Sequence, residues 1–142
     1  MIDDEYPGSA ILALHRATHA TLHTLTTRLA DLDLPAADIN VLANLADGSG
    51  RTVGALATAT ATRPSTLTSL LDRLTRRGYL ERQSDLADRR SFVVVLTRDG
   101  LAAAKRAAEA IADLERQALA AMTPAQLAGF HAVIDALTEA SR

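Results

Sequence analysis

PSTLTSLLDRLTRRGYLERQSDLADRRSFVVVL, residues 64–96, changes its period at Gly78. Before the glycine, a projection at about 100° per residue gathers Leu67, Leu70, Leu71 and Leu74 on one stripe, the pattern of a helix with one buried face. Pro64 is a favoured first helical residue and Gly78 a favoured stop. After Gly78 the pattern alternates. Tyr79 to Ser84 reads as a strand, residues 85–90 as a polar loop and Ser91 to Leu96 as a returning β-branched strand, so a hairpin follows the helix. The helix face opposite the leucines carries Ser65, Thr66, Ser69, Arg73 and Arg76, with Thr68 and Asp72 on its flanks. Short hydroxyls come first and guanidinium groups later. A helix entering the major groove of DNA contacts base edges with its N-terminal residues, and Arg bonds guanine edges or phosphate. The face therefore suits a recognition helix; taken alone it also suits an ordinary solvated helix.

The surroundings favour the first reading. Upstream, Thr52 to Thr60 fits a short helix with Thr52 as N-cap, three residues before Pro64, the spacing of a helix-turn-helix. Before it, Pro35 to Ala46 fits another helix, ended by Asp47-Gly48-Ser49-Gly50. Ile11, Leu14, Thr18, Leu22, Leu25, Leu29 and Leu32 recur at three- and four-residue steps along a first helix of about 20 residues. Downstream, Thr97-Arg98-Asp99-Gly100 leads into an alanine-rich helix to about Met122, and Thr123-Pro124 caps a last helix to about Ser141. The expected fold is mainly α (α+β), a winged helix-turn-helix with a β-hairpin wing between N- and C-terminal dimerisation helices. It forms one domain, 1–142, with the winged unit at about 35–97 and the dimerisation helices at about 9–32 and 98–141. Leu22, Leu25 and Leu29 near one end, and Leu127, Phe130, Ile134 and Leu137 near the other, have no other obvious partner, so a second copy of the chain is expected to cover them.

Composition narrows the function. Hydrophobic residues are 48% of the 142, enough for a core, yet aromatic residues are only 3%. That argues against sheet-based readers of single-stranded nucleic acid, which stack bases on rings. With no cysteine, disulfides, thiolate metal ligands and thiol-oxidation switches are excluded. The acidic start, Met1 to Glu5, leads into no apolar signal segment, and the longest uncharged run, 117–134, is too polar to span a bilayer. A cytoplasmic protein without a membrane segment is expected. The net charge is −2, but residues 63–90 hold seven arginines against Asp72, Glu81, Asp85 and Asp88, which is +3 and leaves −5 for the rest. Local charge is what meets phosphate.

These residues resemble the MarR (multiple-antibiotic-resistance regulator) family over nearly the whole chain. The resemblance rests on Leu56-Ala57, Pro64-Ser65-Thr66-Leu67-Thr68, Leu71-Asp72-Arg73-Leu74, Arg77-Gly78-Tyr79-Leu80-Glu81-Arg82, and above all Asp88-Arg89-Arg90-Ser91 followed by Leu96-Thr97-Arg98-Asp99-Gly100. It implies a sequence-specific, ligand-responsive homodimeric repressor of double-stranded DNA with a near-palindromic site. Contacts are expected from Arg63, Ser65, Thr66, Thr68, Ser69, Arg73, Arg76, Arg89 and Arg90. Arg90 would be the wing arginine that enters the minor groove and Asp88 its orienting partner. A small-molecule effector would sit between the dimer helices and the winged unit. One departure stands out: where the family usually shows Leu-Gly-Val-Ser, this chain has Thr60-Ala61-Thr62-Arg63. A side chain at positive φ is costly, so the turn is expected to have altered geometry, with Arg63 as an extra phosphate contact.

His15, His19 and His23 form an i, i+4, i+8 row on the first helix, about 100° from the centre of its apolar stripe. They are the candidate lining of the effector pocket, and neutral imidazoles suit a small anionic or phenolic ligand. No cofactor and no resident metal are expected; Zn²⁺ held by the row defines an alternative, a metal-responsive regulator. A helical protein-interaction domain without DNA binding is a third reading. No phosphate loop, metal-peptidase or serine-histidine-acid motif is apparent, so no enzyme is expected.

Overall fold

The structure, a computed structural model, describes residues 8–88 and 90–142. The order is α1 (Ala10–Arg28), a 3-10 turn (Ala30–Leu32), α2 (Ala36–Asn44), β1 (Arg51–Thr52), α3 (Val53–Thr60), α4 (Pro64–Arg76), β2 (Leu80–Ser84), β3 (Phe92–Leu96), α5 (Arg98–Leu119) and α6 (Pro124–Ala140). Two compact units result, one ending at Ile111 and one starting at Ala112. None of the described helices is long and apolar enough to cross a membrane.

In the first unit the leucine stripe of α4 does what its spacing requires: Leu67, Leu70, Leu71 and Leu74 are buried. They share the core with Ile39, Val41, Leu42, Leu45, Leu56, Leu80 and Val94. Leu25 and Leu29 from the end of α1 are also buried, as are Ala103, Ala104 and Ala107 of α5, whose small side chains let helices approach closely. Thr52 caps α3, its hydroxyl accepting from the Ala55 amide at 3.1 Å. Gly78 ends α4 at φ 77°, where a residue without Cβ pays no steric penalty, and the Tyr79 amide then reaches back to the Leu74 carbonyl at 3.0 Å. Thr97 fixes the entry to α5: its hydroxyl donates to the Gly78 carbonyl at 2.6 Å and accepts from the Gly100 amide. Gly100 has no alternative here, since a Cβ would lie 1.8 Å from the Tyr79 carbonyl oxygen.

Three features depart from the sequence reading. The wing is a three-stranded antiparallel sheet of order β1-β3-β2, because Arg51 and Thr52 pair with Val94 and Val93 before α3 begins. The first helix stops at Arg28 and passes through the 3-10 turn to Asp33, which sits in the left-handed region at φ 49°. The turn between α3 and α4 keeps the left-handed conformation that a glycine would take: Ala61 lies at φ 48°, ψ 37°, and the Thr62 amide reaches the Ala57 carbonyl at 3.1 Å. The expected change of turn geometry is therefore corrected. The geometry stays, and Ala61 carries its strain.

In the second unit, α6 starts with a full capping box. The Thr123 hydroxyl accepts from the Gln126 amide and the Gln126 side chain accepts from the Thr123 amide.

Candidate nucleic-acid interface

The outermost direction of α4, opposite its leucines, carries Ser65, Ser69 and Arg76, all exposed. Ser65 and Thr66 hydroxyls take no hydrogen bond within the described protein. Thr68 and Ser69 donate to the carbonyls of Pro64 and Ser65 one turn back, at 2.9 and 3.3 Å, which leaves their oxygens free to accept. Arg63 is the N-cap of α4, supplies no side-chain cap and is exposed. Arg76 makes only a long 3.4 Å contact from Nε to the Asp72 carbonyl of its own helix.

The two flanks of α4 are engaged by the rest of the winged unit. On one side Arg73 donates from Nε and Nη2 to the two carboxylate oxygens of Asp38 on α2, at 2.9 and 2.5 Å. Asp38 is fully buried. The hydrogen bond to this carboxylate holds the Arg73 pKa above its usual value. Arg73 was expected as a DNA contact; one edge of it is committed to a structural partner. Arg77, on the same flank, donates to the carbonyls of Leu32 and Asp33 at 2.6 and 3.0 Å and lies over the Tyr79 ring. On the other side Asp72 pairs with Arg82 of β2 at 2.7 Å, tying the recognition helix to the wing. The seven arginines of this region thus do not form one free cationic patch. Arg73, Arg77 and Arg82 have internal partners, and Arg63, Arg76 and Arg90 face solvent.

At the wing tip, Asp88 accepts from the Arg90 amide at 3.0 Å and from the Ser91 hydroxyl at 3.2 Å, while Asp85 accepts from the Ala87 amide at 2.9 Å. Asp88 therefore orients the backbone of Arg90. It makes no ion pair with the Arg90 guanidinium. Arg89 lies outside the described residues.

Comparison with known proteins agrees with this geometry. The MarR family model matches residues 32–91, which span α2, the helix-turn-helix, β2 and the loop before β3. Over those residues the chain is similar to the MarR family. Among solved structures, Staphylococcus aureus MepR in its DNA-binding conformation superposes with a TM-score of 0.84 at 17% identity, covering 95% of this chain and 100% of that one. A MarR-family transcriptional regulator from Silicibacter pomeroyi gives 0.77 at 27% identity, covering 95% and 91%. Bordetella bronchiseptica BpsR, whose DNA binding is regulated by 6-hydroxynicotinic acid, gives 0.74 at 24% identity, covering 94% and 96%. No curated protein matches the chain in sequence.

His15, His19 and His23 are all exposed on α1, and among the described residues their imidazoles have no hydrogen-bond partner. They were placed near a buried edge; burial on α1 is confined to Leu25, next to Leu29 at its C-cap. Among the described residues, no group of three or more His, Cys, Asp or Glu side chains is placed to hold a metal ion. The residues whose partners the sequence did not foresee are Asp38, Arg77 and Arg82. Asp38 alone left a signal, as the one charged residue of α2, between Ala37 and Ile39.

Proposed function

We propose that the chain is a homodimeric, effector-responsive repressor that binds near-palindromic double-stranded DNA, with α4 in the major groove and the wing beside the minor groove. The observation that carries the reading is the outer face of α4: free hydroxyls at its N-terminal end, then Arg76, with Arg63 before it and Arg90 on the wing, all unpaired by side-chain ion pairs. Short hydroxyls permit close approach to base edges, and the arginines supply phosphate and minor-groove contacts. The likeness to MepR in its DNA-binding conformation supports this placement, and BpsR supports a small-molecule effector. Such a regulator acts where the chromosome is, in the cytoplasm of a bacterial cell, and needs no catalysis.

Dimerisation follows from apolar surface that the single chain leaves in water. On α1, Ile11 and Leu12 are 49% and 66% exposed; in the second unit, Phe130 and Val133 of α6 are 55% and 49% exposed. A second copy is the natural cover for such faces. Leu25 and Leu29, expected at this interface, are instead spent on the first unit's own core. The dimer face of α1 is its N-terminal part, where the histidine row also lies, so His15, His19 and His23 remain candidates for the effector pocket.

The test is salt-dependent binding to a duplex selected from genomic fragments. If Arg63 and Arg90 each neutralise one phosphate per subunit, each Ala substitution lowers the dimer's salt slope by about 2. Equal affinity and slope in the parent chain and both variants would refute the placement.

A further inference from the structure

Asp38 is 0% exposed, and its two carboxylate oxygens both accept from Arg73, whose side chain is 46% exposed. Fold stability does not call for this pair. Apolar side chains of similar volume hold two helices at least as well as a buried ion pair, which must repay the desolvation of both charges. The geometry of the pair suggests what it is for. Arg73 meets Asp38 with Nε and Nη2, the side-on edge of the guanidinium. A guanidinium has a second, end-on edge formed by Nη1 and the remaining Nη2 proton, and this edge has no partner among the described residues. The half-exposed side chain is thus clamped from inside and open to the outside.

Its direction narrows the ligand. On a helical projection, Arg73 lies about 60° from the direction shared by Ser65, Ser69 and Arg76, on the flank that faces α2. A side chain there reaches the rim of a groove occupied by α4, where the sugar-phosphate backbone runs, and not the base edges on its floor. The end-on edge is matched to two oxygens of one phosphate. We propose that Asp38 is a positioning residue for DNA: it fixes the Arg73 guanidinium before binding, so that its outer edge meets a backbone phosphate already oriented. The proposal rests on the DNA-binding reading above. Arg76 and Arg90, which have no such clamp, must be ordered on binding.

Asp38→Asn separates positioning from charge, because the two predict opposite signs. The substitution removes a negative charge behind the DNA face, so Coulomb interaction alone predicts tighter binding. Positioning predicts weaker binding by about tenfold per dimer, the cost of immobilising two rotamer-rich side chains on binding and not before it. The salt slope should stay at the parent value, since the Arg73 charge remains. Titrations of the selected duplex in the Arg73→Ala background complete a cycle, and there Asp38→Asn should no longer weaken binding. Equal or tighter binding by Asp38→Asn, or the same weakening with and without Arg73, overturns the proposal. Should Asp38→Asn fail to fold, Arg73→Lys serves: it keeps the charge but has one ammonium for two partners, and a parent-like affinity would be equally fatal. Absence of duplex binding by the parent chain would overturn the DNA-binding reading itself, whereas parent binding with unaffected variants overturns only the role of Asp38.

Discussion

Replacing Ala61 by glycine should make the protein more stable. Ala61 occupies the left-handed region at φ 48°, ψ 37°, at the C-terminal end of α3. In that region a residue with a Cβ is disfavoured by about 1–2 kcal/mol. Glycine removes this strain, but its freer unfolded chain takes back about 0.4–1 kcal/mol. Ala61 is exposed, so losing its methyl group forfeits no packing. The balance is a gain of about 0.5–1 kcal/mol per chain, or a rise of about 2–4 °C in Tm for a protein of this size. Thermal and urea unfolding measure it, both at one fixed protomer concentration, because dimer stability depends on concentration. Ala61→Val is the opposing control: a β-branched side chain tolerates this region still less and should lower Tm. Since glycine keeps the turn's path, duplex affinity should not change. A lower Tm for Ala61→Gly, or parent-like stability for Ala61→Val, would refute the claim that this turn stores backbone strain.

Other expectations follow from the packing. Arg73→Ala leaves the Asp38 carboxylate buried and unpaired, and should cost about 3 kcal/mol, the low end for such a loss because the vacated space opens to solvent. Adding Asp38→Leu to it should recover most of that in urea unfolding. Gly100→Ala forces a methyl group into the Tyr79 carbonyl and should cost about 3 kcal/mol or prevent folding, read by thermal unfolding. Asp31 is held below the usual carboxylate pKa by its hydrogen bonds to Arg106. Its contribution to stability is therefore complete above its unfolded value of about 3.9 and is lost as pH falls through the lower folded value. Asp31→Asn should flatten the fall of the urea midpoint below about pH 4.

The helix-turn-helix and the wing were legible because their signals are local. Pro64, the leucine stripe and Gly78 mark α4 within 15 residues, and the alternation after Gly78 marks the hairpin. The strand β1 was not legible: two residues carry no period, their partners Val93 and Val94 lie some 40 residues on, and Thr52 already reads as a helix cap. The candidate site was legible by position but not by partner. Counting charge in residues 63–90 treats every arginine as free, whereas Arg73, Arg77 and Arg82 reach back to Asp38, Leu32 with Asp33, and Asp72. A long side chain turns toward whichever acceptor the tertiary fold supplies, and projection onto a wheel does not contain that acceptor. The histidines were placed near a buried edge because the stripe of α1 runs along its whole length; the first unit buries only the end of it.

The most direct measurement is a hydroxyl-radical footprint of the purified protein on a duplex recovered from its own genomic fragments. The account predicts a near-symmetric footprint, with two half-sites centred about one helical turn apart and flanking minor-groove protection that disappears in Arg90→Ala. A footprint with a single half-site, or one that Arg90→Ala leaves intact, would contradict it, as would failure to recover any fragment at about 0.1 M salt.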